Sequence, residues 1–200
     1  MLVSAAEVLR ERGAAGVTID EILARSGAPR GSVYYHFPDG RNQILTEALQ
    51  HAGDAITEII DEAATQGGMY LVHRFVEFWK DLLVESDFTA GCPVVAAAIG
   101  SADEEPQLIN VAGGIISRWR DALTRAFVSD GFDESDAASL AIMCIASLEG
   151  AVVLCRSTRL VDPLLDVAGQ IEFLIKSREF VRRNDLPTAG GAGNPTSVER

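Results

Sequence analysis

A chain of 200 residues with 48% hydrophobic and 23% charged side chains can bury a sizeable core and has the composition of an ordinary soluble globular protein. Its formal net charge of -12 argues against a general affinity for polyanions, and its longest weakly polar stretches, "LAIMCIASL" and "GAVVLC", are split by Glu149 and fall short of a membrane span. The opening "MLVSAAEVLRERG" has no long apolar block of the kind found in a signal peptide, so a cytoplasmic protein with no membrane partner is expected.

The elements read as helices almost throughout. Leu2, Ala5, Ala6 and Leu9 keep a 3.6-residue period until Gly13. Thr18 followed three residues later by Glu21 is a capping box that opens a short helix over 18–26, closed by Gly27. A third short helix spans about 29–36, with Val33 and Phe37 facing inward, and "PDG" at 38–40 forces a turn. From Arg41 a long helix carries Ile44, Leu45, Ala48, Leu49, Ala52, Ile56, Ile59 and Ile60 on one stripe until Gly67-Gly68. Further helices are expected at 69–85, 92–100, 105–129, 134–158 and 163–181, the last with Asp162 as N-cap and Pro163 in its first turn. Alternating β-branched runs do not occur, and the Gly/Pro/Ser-rich tail over 184–200 reads as disordered. The fold expected is all-α.

Charge is spread unevenly. Residues 1–50 hold five arginines and six acids, a net of -1, so a nucleic-acid site belongs there and not in the remainder, which carries -11. Three short helices followed by a long one form the layout of a helix-turn-helix module. In "GAPRGSVYYHFPDG", Arg30 can make a bidentate contact to guanine, and Gly31 removes a side chain where backbone and DNA would meet. Ser32, Tyr34 and His36 offer donors to phosphate, and Tyr35 can lie against sugar or a thymine methyl. The alternative is a buried amphipathic helix with tyrosine hydroxyls at its rim. Two adjacent tyrosines cannot both face one core.

The run "VTIDEILARSGAPRGSVYYHFPDGRNQILTEAL", residues 17–49, resembles the N-terminal DNA-binding domain of the TetR family of bacterial repressors. "FPDGR" and the downstream "GCPVVAAAIG" are similar to a sub-branch of multidrug and flavonoid-type efflux regulators within it. The resemblance implies a homodimer bound to a palindromic operator on double-stranded DNA, with a C-terminal domain that takes a small effector and releases the DNA. It implies a helix-turn-helix domain over 1–45 and a ligand-binding and dimerisation domain over 46–183. It implies DNA contacts from Thr18, Arg25, Arg30, Gly31, Ser32, Tyr34, Tyr35, His36 and Arg41. Pro29 stands where the family often has a capping Ser, which passes the cap to Ala28. Gly40 stands at a usual lysine position, which passes a phosphate contact to Arg41, and the chain opens inside the first helix. With Arg25, Arg30 and Arg41 each neutralising one phosphate per protomer, the log-log salt slope of a dimer is expected near about -5.

For the body, Ala137, Ala141, Cys144, Leu148, Val152 and Cys155 repeat at helical spacing, and Leu164, Val167, Ile171, Leu174 and Ile175 do so on the last helix. The expectation is a four-helix dimer interface through Ala141, Cys144, Leu148, Val152, Cys155, Leu164, Val167, Ile171 and Leu174, with packing inside one chain as the alternative. Phe75, Phe78, Trp79, Phe88, Trp119 and Met143 are candidates for an apolar effector pocket, and each is equally a candidate for plain core. Glu149, a carboxylate in an apolar helix, is expected to pair with an arginine across the interface or to face a ligand. Three cysteines without CxxC spacing and histidines without ligand spacing give no metal or cofactor signature. Cys92 precedes Pro93 at a helix start, which opens a redox-sensing alternative. No catalytic triad, phosphate loop or paired carboxylates stand out, so an enzyme is not expected; the other rival is a helical adaptor with weakened DNA binding.

Overall fold

The computed structural model describes residues 1–100 and 105–184, and every described element is helical. The head is built from α1 (Leu2–Arg12), a 3-10 turn (Ala14–Gly16), α2 (Ile19–Ser26) and α3 (Arg30–His36). Helix α4 (Arg41–Ala64) runs from the head into the body, which holds α5 (Gly68–Glu85), α6 (Pro93–Gly100), α7 (Pro106–Ser129), α8 (Glu134–Thr158) and α9 (Asp162–Arg183). The expected tail lies outside the described residues from position 185 on.

Local chemistry explains the breaks. The Thr18 hydroxyl accepts from the Glu21 N–H at 3.1 Å, so the N-cap forms. The reciprocal half of the capping box does not, because the Glu21 carboxylate accepts from Arg25 Nε at 2.8 Å instead. Gly27 closes α2 at φ 66, ψ 11, a left-handed position that glycine adopts without a Cβ penalty. That reversal ends α2 ahead of α3. Helix α3 starts from Pro29, not from Ala28, without a side-chain cap; the Ser32 hydroxyl donates to the Pro29 carbonyl at 2.6 Å, which leaves the first-turn N–H groups uncapped by any side chain. Helix α9 begins one residue earlier than its sequence signal, with Asp162 as its first residue. Asp133 caps α8 by accepting from the Asp136 N–H at 2.9 Å.

The core runs through both halves. Ala5, Val8 and Leu9 of α1 pack with Ile44, Leu45, Ala48 and Leu49 of α4, and Ile22, Val33 and Phe37 join them. Lower down, α4 lies against α7, α7 against α8, and α8 against α9. At Gly53 the approach of α4 to α7 is so close that a Cβ there would stand 2.4 Å from Ile115 Cδ1. By length and apolar composition α8 could cross a membrane, but its buried face, including Glu149, packs inside the body.

Candidate DNA-binding surface and effector cavities

The surface of the head divides its predicted residues into two groups. Val33 and Phe37 anchor α3 in the core, while Tyr34 is 57% and Tyr35 82% exposed, and Arg30, Gly31 and His36 stand out beside them. Ser32 is half-buried and Thr18 exposed. The Tyr35 and His36 rings meet edge to face at 4.9 Å between centroids. Arg30 pairs with Asp20 at 2.9 Å, a solvent-exposed contact that water and salt screen. The outward Arg30–His36 face is what the sequence led us to expect, and the buried-helix alternative fails.

Arg25 and Arg41 do not join that face. Arg25 donates to both oxygens of Glu11 at 2.8 and 3.1 Å and to Glu21 at 2.8 Å, tying α1 to α2. The Glu11 carboxyl is held below its ordinary range by the Arg25 hydrogen bond, and the Arg25 guanidinium is raised above its own. Arg41 donates to the carbonyls of Val17 at 2.6 Å and Ala14 at 2.7 Å, and it pairs with the buried carboxylate of Glu105 just before α7. Both guanidinium groups are therefore used inside the fold. Of the expected three, Arg30 alone stays on that face, in an exposed pair with Asp20 that DNA phosphate can replace. The expected salt slope falls accordingly, from about -5 to about -2 on a log-log plot for a dimer. Fluorescence anisotropy between 50 and 200 mM salt, on any DNA site the protein selects, measures it; a slope steeper than about -4 would return Arg25 and Arg41 to the interface.

Arg41 is one of three links between head and body that no local pattern in the sequence announced. In the second, the Gly91 N–H donates to the Arg10 carbonyl at 3.1 Å. In the third, Arg156 of α8 donates to the carbonyls of Glu11 at 3.1 Å and Thr89 at 2.8 Å. Each pairs groups far apart in the chain.

The predicted effector residues do not converge on one pocket. Phe75, Trp119 and Glu149 border an apolar space of only about 10 Å³. Trp119 is fixed there by its N–H, which donates to Thr57 Oγ1 at 3.0 Å. Phe78 and Trp79 meet edge to face at 5.3 Å between centroids and line another cavity of about 200 Å³ beside α1. Met143 lies in a groove between α8 and α9, and Phe88 sits in the turn after α5 at φ 58, packed on the core. Glu149 brings a buried carboxylate to a second cavity. Its other side opens on about 220 Å³ lined by Gly91, Cys92, Val95, Ile99 and Arg156. Glu149 is only 7% exposed, neither carboxyl oxygen has an N–H or O–H partner among the described residues, and burial raises the carboxyl to about 7, with only the Cys92 thiol acting against that shift as a hydrogen-bond donor. Among the described residues no arginine of the same chain pairs with it, which leaves the expected partner across a dimer interface or a ligand to meet the carboxyl.

Cys92 lies beside that carboxyl and is buried. Burial first, and the Glu149 charge next, push its thiol well up, overriding the helix-start effect that the redox alternative relied on. No group of three or more His, Cys, Asp or Glu able to hold a metal ion occurs among the described residues.

The dimer residues need a similar correction. Ala141, Cys144, Leu148, Val152, Cys155, Leu164 and Ile171 are buried within the protomer. Val167 and Leu174 are partly buried, and with Met143, Leu154 and Ile171 they line an open groove of about 760 Å³ between α8 and α9. Ile142, Val153, Leu154, Leu165, Phe173 and Phe180 are the large apolar residues exposed on these helices, Phe173 at 69%. Helix α8 is apolar all round, and sequence periodicity consequently assigned the wrong face to the outside.

A short outward helix on a three-helix head, carried by a helical body, defines the class of helix-turn-helix regulators. Known proteins narrow this. Residues 1–48 match the bacterial regulatory proteins of the tetR family, and residues 68–170 match the LmrA/YxaF-like C-terminal domain of transcriptional regulators. An HTH-type transcriptional regulator of Mycobacterium tuberculosis, Rv0196, is 38% identical over 88% of this chain and 92% of its own. The HTH-type transcriptional regulator LmrA of Bacillus subtilis is 29% identical over 88% and 95% respectively. A TetR transcriptional regulator structure from Chloroflexus aurantiacus superposes with a TM-score of 0.71 at 26% identity, covering 88% of this chain and 91% of that one. The chain belongs to the TetR family of bacterial transcriptional regulators.

Proposed function

We propose that the chain is a ligand-responsive, operator-binding repressor of the cytoplasm, working as a homodimer that a small hydrophobic effector releases from a palindromic site. The observation that carries this reading is the outward face of α3, where Arg30, Tyr34, Tyr35 and His36 stand in solvent over a core-anchored Val33 and Phe37. In this reading residues 1–45 meet DNA, with Thr18, Gly31 and Ser32 completing the contact surface, and residues 46–183 sense and dimerise. Two α3 helices held one helical turn of DNA apart, about 34 Å, dock together in successive major grooves.

The exposed apolar flank of α8 and α9 supports dimerisation, since a face bearing Leu154, Leu165 and Phe173 is costly to leave in water. Changing Phe173→Asp should halve the mass measured by sedimentation and leave the helical content intact, because the side chain makes little intrachain packing. A Phe173→Asp protein that stays dimeric would move the interface elsewhere.

The Glu149 cavity, walled by the Gly91-Cys92 segment of the "GCPVVAAAIG" run, is the effector site in this reading, in keeping with regulators of efflux. An occupant there lies between α6 and α8, beside the Arg156 contacts to the head. Displacing them moves α1 and α4 and changes the separation of the two α3 helices. Sequencing DNA fragments selected by the purified protein tests the whole proposal. Enrichment of a palindrome whose half-sites lie one turn apart supports it, and an unstructured pool of fragments rejects it.

A further inference from the structure

The cavity of about 200 Å³ where head meets body has no part in the reading above. Its walls come from α1, α4, α5 and the turn into α6, so any occupant touches both halves of the chain at once. Most of the lining is apolar, including Ala52, Phe78 and Leu82. The polar exceptions are Glu7, Arg10, His51 and the Trp79 indole.

Four buried side-chain polar atoms lack a hydrogen-bond partner among the described residues. Two are the Glu149 oxygens. The other two, Arg10 Nε and Trp79 Nε1, both belong to residues that line this cavity. Both are donors. Trp79 is only 1% exposed, so its N–H depends on an acceptor inside the fold or in this cavity. Elsewhere the fold satisfies such groups: the other tryptophan donates to Thr57. Buried donors without acceptors are uncommon and are repaid by any acceptor placed between them. Among the described residues Arg10 also makes no ion pair: Glu7, one turn away on the same helix and lining the same cavity, does not approach it within salt-bridge distance, whereas Arg12, Arg25, Arg30 and Arg41 in the same head all pair.

The geometry points to a binding site for a compact, apolar monocarboxylate, its ring among Ala52, Phe78 and Leu82 and its carboxylate accepting from Arg10 Nε and Trp79 Nε1. Donors alone are unmet here, so the complement is an acceptor. The Arg10 Nε–H, on a half-buried cationic guanidinium, favours an anionic acceptor, which it can meet with a charge-assisted bond. The volume suits a single ring and is below the usual range of about 300–1,000 Å³ for drug-sized ligands. The site is distinct from the Glu149 cavity, which offers acceptors and lies on the far side of Gly91. An occupant would bridge α1 to α5 and so tie the DNA-binding head to the body.

Calorimetry on the full chain with benzoate, and with benzamide and benzylamine as neutral and cationic isosteres, tests this. Benzoate should bind saturably and at least about tenfold more tightly than either isostere, as loss of a charge-assisted bond implies. Arg10→Met, which keeps the aliphatic stem, should weaken benzoate by about tenfold or more, and Trp79→Phe by several-fold. Ala52→Leu fills the space and should abolish binding without removing a donor, which decides the matter if Arg10→Met does not fold. Glu149→Gln should bind benzoate as the wild type does. No saturable benzoate binding, equal binding of all three probes, or indifference to both Arg10→Met and Ala52→Leu would overturn the site. None of these measurements uses DNA, so their failure leaves the repressor reading untouched.

Discussion

Replacing Gly31 with alanine should make the free protein more stable and its binding to selected DNA weaker. Gly31 is the second residue of α3, it is exposed, and a Cβ built on it meets no atom within 4 Å. Its backbone is helical and outside the left-handed region that favours glycine. Nothing inside the fold therefore asks for glycine here. Glycine within a helix costs about 0.5–1 kcal/mol relative to alanine, with the low end expected in a first turn. A residue that costs stability without a local return is explained by something outside the chain that needs the space. If the α3 backbone lies against DNA, an added methyl either displaces the helix or is overpacked, at about 1–3 kcal/mol, or roughly 5- to 150-fold in affinity.

The two effects have opposite signs, which makes the experiment discriminating. Chemical denaturation should show Gly31→Ala at least as stable as wild type, while anisotropy with selected DNA should show weaker binding. A variant with improved stability and unchanged operator affinity would mean that α3 does not enter a groove, despite the exposure of Tyr34 and Tyr35.

The helix boundaries were legible because each break has a local chemical cause: Gly13, Gly27, the Pro38-Asp39-Gly40 turn, Gly67-Gly68 and Asp133 all interrupt or cap a helix through their own backbone or side chain. The outward face of α3 was legible for the same reason, since only Val33 and Phe37 have the spacing to face the core. What stayed hidden depends on partners distant in sequence. Arg41 looks like a free cation until Glu105, 64 residues away, is brought beside it. Trp119 looks like a ligand ring until Thr57, 62 residues away, takes its N–H. The register of α8 was unreadable for a different reason. Periodicity locates a buried face only by contrast with a polar one, and α8 supplies almost none. Its Ala141, Cys144 and Leu148 stripe was a sound helical pattern assigned to the wrong neighbour.

The buried Glu149 should make the protein lose stability as pH rises from about 5 to 8. Its carboxyl titrates at about 7 in the fold against an ordinary value of 4.5, because burial penalises the charged form and no cation lies close enough to compensate. The folded state therefore holds this proton more tightly than the unfolded chain. That contribution to stability is full below 4.5, declines as pH rises through the interval, and is gone above about 7. Its size is at most about 3 kcal/mol, several degrees in the thermal midpoint of a chain this long. Few other shifted groups interfere. Glu11 and Glu172, held low by Arg25 and Lys176, act in the opposite sense and below this window, while Cys92 and Cys144 titrate above it. Glu149→Gln keeps the shape but cannot ionise, so its midpoint should flatten over the same range and exceed that of wild type at pH 8. Thermal scans of the two proteins from pH 5 to pH 8, at constant ionic strength, give the difference directly. Parallel curves would mean that water or a cation reaches the carboxyl in solution, and the case for Glu149 as the polar anchor of the effector cavity would fail with them.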